Sequence, residues 1–73
     1  MKPILSKLAD RINGNYAVAS VVLPITLAAK DRLLYSTYDT RAVQVIGLYA
    51  RTLGLDSIAI QTKQNGPYTV TIS

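Results

Sequence analysis

The chain contains no cysteine, histidine, tryptophan or phenylalanine, and its four acidic residues are all aspartate. Each absence removes a class of chemistry. Without thiols there is no disulfide framework, and without Cys or His no Cys/His zinc site can be assembled. A Ser or Thr nucleophile would lack the imidazole that normally takes its proton. Ser6 and Lys7 are neighbours in sequence and so leave a helix in different directions, which leaves a Ser–Lys pair unsupported. Glycine is sparse as well: Gly14, Gly47, Gly54 and Gly66 stand alone, so no phosphate-cradling loop is written. Asp10, Asp31, Asp39 and Asp56 are too dispersed for a calcium loop, whose ligands recur at short fixed intervals. Asp39 reads as a helix cap, and Asp31 and Asp56 as turn residues. The expectation is a protein that is not an enzyme and carries no cofactor and no metal.

What remains is a chain of 73 residues, 49% hydrophobic and 16% charged, which is the composition of one small globular domain over 1–73. A single core of that size supplies only about 3–5 kcal/mol, so the chain must pack well, lean on a partner, or both. Eight basic residues against four acids leave a net charge of +4, which favours an acidic partner. The bases are scattered (Lys2, Lys7, Arg11, Lys30, Arg32, Arg41, Arg51, Lys63), and no run forms a basic tail. Tyr16 to Ala29 is uncharged, follows Lys7 and Arg11 and ends in small residues, which imitates a secretory signal. Asp10 in the basic flank and Pro24 in the apolar run argue against that, and the segment is too short to span a bilayer as a helix. A cytoplasmic location is expected, with no membrane partner.

Ile4, Leu5, Leu8 and Ile12 recur at helical spacing and predict an amphipathic helix over 2–12, with Pro3 in its first turn. Asn13-Gly14-Asn15 suits a left-handed stop after it. From Tyr16 to Tyr38 two readings stand. Val18, Ser20-Val21-Val22 and Ile25-Thr26-Leu27 are rich in β-branched residues and favour strands, with Pro24 marking an edge, Lys30-Asp31 a turn and 32–37 a returning strand. The competing reading makes 17–23 or 27–34 helical. Asp39 or Thr40 then caps a second helix through Leu53, closed by Gly54, whose core face is Ala42, Val43, Ile46, Tyr49, Ala50 and Leu53. Residues 57–62 and 67–72 alternate in polarity around Lys63-Gln64-Asn65-Gly66 and predict a C-terminal hairpin. The predicted fold class is α+β: two helices packed on a small antiparallel sheet.

The second helix carries the most suggestive binding constellation. Arg41, Gln44, Leu48 and Arg51 fall on its outward side, where an apolar anchor would be flanked by charge-assisted contacts. The bland alternative is a solvated face with one stray leucine. Lys7 and Arg11, one turn apart, form a second basic pair, which solubility alone would also explain. Tyr16, Tyr35 and Tyr38 could stack on bases or anchor a protein interface. A helix-turn-helix is open if 27–53 is two helices, with Arg41, Gln44 and Arg51 facing a groove.

The opening Met1-Lys2-Pro3-Ile4-Leu5-Ser6-Lys7, the Asn65-Gly66-Pro67-Tyr68 tail and the overall length resemble the small transcription regulators of lytic Xanthomonas phages. The resemblance rests on the chain as a whole and assigns no contact residue. It implies a phage protein acting in the host bacterial cell by protein–protein binding. The host RNA polymerase subunits would be bound, initiation inhibited by hindering sigma association, and antitermination promoted. Nucleic acid in the transcription complex is a further possible contact, and a monomer is expected. Two rival classes stay open: a direct DNA- or RNA-binding repressor, and a module that self-associates through a free strand edge.

Overall fold

The computed structural model describes residues 3–25 and 31–73. Among these residues three helices and four strands follow in the order α1 (Pro3–Asn13), α2 (Tyr16–Ala19), β1 (Val22–Pro24), β2 (Leu33–Thr37), α3 (Thr40–Thr52), β3 (Ile58–Thr62) and β4 (Tyr68–Ile72). The strands form one antiparallel sheet in the order β1-β2-β4-β3. The fold is the expected α+β arrangement, with a short extra helix.

Register explains which side of the sheet is buried. Leu33, Tyr35 and Thr37 of β2 stand opposite Ile72, Val70 and Tyr68 of β4. Side chains alternate along a strand, so these residues share one face. α3 packs against that face over β2 and β4, α2 packs beside it on β1, and α1 rests on α2 and α3. Leu5, Leu8 and Ile12 of α1, Ile46 and Ala50 of α3, and Val70 and Ile72 of β4 are wholly buried there. The other face carries Leu34, Ser36, Thr69 and Thr71, all half-exposed.

α3 is built as its sequence predicts. The Asp39 carboxylate accepts from the Arg41 and Ala42 backbone N–H groups at 2.8 and 3.4 Å, satisfying donors that the first turn leaves open. At the other end Gly54 adopts φ +81°, which lets the Leu55 N–H reach the Ala50 carbonyl and its own N–H reach Arg51. Ala42, Val43, Ile46, Gly47 and Ala50 are buried, while Tyr49 and Leu53 lie half-buried on its flanks.

Three local expectations are corrected. α1 does not end in a left-handed cap: Asn15 has φ −101° and serves instead as the N-cap of α2. The favoured strand at Val18 is therefore helix, because Asn15 offers a cap that local β-propensity does not register. Strand β1 is confined to Val22–Pro24; the expected strand residues Thr26 and Leu27 and the turn residue Lys30 lie outside the described residues. The C-terminal hairpin forms as expected, with Thr62 opposite Tyr68 and Lys63-Gln64-Asn65-Gly66 in the loop between them. Asn65 takes the left-handed conformation at φ 61°, and the Gly66 N–H closes onto Lys63 at 2.9 Å. The alternative helix-turn-helix over 27–53 also fails, since Leu33–Thr37 is a strand.

Candidate partner-binding surface

The outward side of α3 is where the periodicity puts it. Arg41, Gln44, Leu48 and Arg51 are all exposed, in a row about 15 Å long at 1.5 Å per residue. Leu48 is 57% exposed between polar neighbours, while the opposite side of the same helix is locked into the core. A helix held this way presents its row on a rigid support.

α1 contributes differently from expectation. Lys7 and Arg11 are both exposed, but Arg11 is also engaged within the molecule. Its guanidinium lies 5.7 Å from the centroid of the Tyr49 ring, and Nη1 donates to Thr52 Oγ1 at 3.2 Å. That contact brings Arg11 beside the C-terminal turn of α3, next in the chain to Arg51. The basic pair of α1 and the row on α3 thereby belong to one helical layer.

The tyrosines divide into distinct environments. Tyr35 sits in the core, where burial raises its phenol above the ordinary value of 10.0, so it cannot anchor a partner. Tyr16 and Tyr38 are exposed and remain available. Tyr68 is half-buried and shares a 3.1 Å hydrogen bond with the Thr40 hydroxyl.

A second surface was not singled out from the sequence. Val21, Leu23 and Tyr38, all exposed, line an open depression of about 290 Å³ with Ser20, Val22, Ser36 and Thr37. Thr37 is buried and fully engaged at its floor: its hydroxyl donates to the Val21 carbonyl at 2.7 Å and accepts from the Asp39 N–H at 3.0 Å. Only the pairing of β1 with β2 brings these residues together, so no contiguous motif announced them.

No family model, curated protein or solved structure matches the chain. These comparisons place the chain in no family. Among the described residues no three acids gather to hold a metal ion, and no helix is long and apolar enough to cross a membrane.

Proposed function

We propose that this protein acts without catalysis, by occupying a macromolecular partner's surface with the exposed row Arg41, Gln44, Leu48 and Arg51. The observation that supports this reading is Leu48, an exposed apolar side chain flanked by exposed arginines on a helix fixed from behind. Lys7 extends the basic character of the same layer, with Arg11 divided between that role and its contact with Tyr49. A standard interface takes about 800 Å² from each partner, a modest part of the 4970 Å² surface here.

The resemblance of the chain as a whole makes a host bacterial RNA polymerase the partner to test first. Occupying a surface that sigma needs would hinder initiation, and preferring an elongating conformation would carry the enzyme past terminators. Both effects need only different affinities for two states of the polymerase. The bacterial cytoplasm is then the site of action. Direct binding of DNA or RNA is the second reading, supported by the net charge of +4 and the absence of an acid from the α3 row.

Binding to purified bacterial RNA polymerase, with and without sigma, tests the first reading. Competition with sigma is expected, with at least a tenfold loss for the Arg41→Glu/Arg51→Glu double variant, about the effect of losing one strong anchor. Failure to bind polymerase, or undiminished binding by the double variant, refutes it. Affinity for naked nucleic acid that falls steeply with salt would establish the second reading instead.

A further inference from the structure

The two outer strands of the sheet are protected unequally. β1 has only three residues and ends in Pro24, which has no N–H to offer a neighbour. β3 runs for five residues, Ile58-Ala59-Ile60-Gln61-Thr62, with neither proline nor charge among them. Natural sheets normally blunt a free edge with one of those devices. Here one edge has such a device and the other does not.

The open edge is also uncovered from above. Ile60 stands opposite Val70, which is wholly buried, yet Ile60 itself is 50% exposed, because among the described residues the helices pack chiefly over β1, β2 and β4. Among the described residues, β3 thus has no hydrogen-bonding neighbour on its outer side, and its core side, covered at Ile58, is left open at Ile60. The charges beside it point to one occupant. Asp56 precedes the strand and Lys63 follows it, both exposed. An antiparallel copy of the same segment would lay each acidic end alongside a basic end, whereas a parallel copy would set like against like.

We propose that two copies of this chain associate through antiparallel pairing of their β3 strands, giving one continuous sheet. Full overlap of the five residues centres the two-fold axis on Ile60, so that it faces Ile60 of the second copy. Ile58 then meets Thr62, and Ala59 meets Gln61. Residues that face the core side keep doing so across the junction, because paired positions share a face in an antiparallel ladder. An axis perpendicular to the sheet leaves both helical layers on the same side, so a dimer offers both α3 rows in one direction. The inference does not depend on which partner those rows bind. A five-residue edge gives a contact at or below the roughly 1,200 Å² of transient encounters, so the association is reversible.

Sedimentation velocity on the full chain over a concentration series tests this. The wild type should pass from monomer to dimer with rising concentration. Ile60→Lys places two ammonium groups face to face and should weaken association by about tenfold or more, with circular dichroism unchanged. Lys63→Asp should weaken it by about threefold or more, and adding Asp56→Lys to that variant should restore it, by charge logic that needs no change in fold. A wild type that stays monomeric to millimolar concentration overturns the proposal. So does equal dimerisation by Ile60→Lys, absence of rescue by the paired swap, or a dimer abolished by Leu48→Glu instead.

Discussion

The Asn15 side-chain amide donates a hydrogen bond to the Tyr49 hydroxyl at 3.0 Å, across 34 residues of sequence. The same side chain accepts from the Val18 N–H at 3.4 Å, so it both starts α2 and fastens it to α3. Arg11 lies over the Tyr49 ring, which makes that tyrosine the joint of all three helices.

Removing the hydroxyl with Tyr49→Phe should cost about 1 kcal/mol, the net value of such a bond. Asn15→Ala loses the bond and the cap together and should cost about 1–2 kcal/mol. Urea unfolding of both single variants and the double variant should show non-additive losses, since they share one contact. Additive losses would mean that the two side chains do not cooperate.

Thr37 offers a sharper test, because one buried hydroxyl serves two backbone groups. Thr37→Val keeps the volume but strands the Val21 carbonyl and the Asp39 N–H, at a cost of about 1–3 kcal/mol. Thr37→Ser should recover most of that loss in chemical denaturation. If Val and Ser behave alike, the hydroxyl is not what holds β1 to the start of α3.

The two glycines of α3 and its exit should respond in opposite senses to alanine. A Cβ at Gly47 would meet nothing within 4 Å, and Ala is the better helix former, so Gly47→Ala should stabilise by about 0.5–1 kcal/mol. Gly54 holds φ +81°, so Gly54→Ala should cost about 1–2 kcal/mol. Thermal midpoints should move up for the first and down for the second by several degrees.

Alkaline pH should weaken the fold through Tyr35. Its phenol is raised from 10.0 by burial, so the unfolded chain loses that proton first. The stability it confers is complete below pH 10 and is lost as pH rises toward the higher folded value. Tyr35→Phe should therefore lose less stability than the wild type between about pH 8 and pH 11 in paired denaturation curves. Equal losses would exclude this linkage.

Strong local signals were legible without the fold. The helical spacing of Leu5, Leu8 and Ile12, the Asp39 cap, the Gly54 exit and the alternation around Val70 and Ile72 each specify an element from within a few residues. The outward row on α3 followed from the same periodicity. The segment from Tyr16 to Tyr38 was harder, since a cap at Asn15 competes there with β-branched residues whose strand preference depends on neighbours. Arg11 likewise looked like a free surface base, because nothing near it in sequence reveals Tyr49 or Thr52.

Sequence alone determined the side-chain chemistry at hand, the main helices, the hairpin and which face of α3 turns outward, because each depends on residue type or short-range spacing. Only tertiary structure decided that β1 and β3 are the outer strands, that Ile60 is left uncovered and that Val21, Leu23 and Tyr38 share a depression. Those outcomes depend on which strands pair and how far the helices reach across them, relationships between segments far apart in the chain.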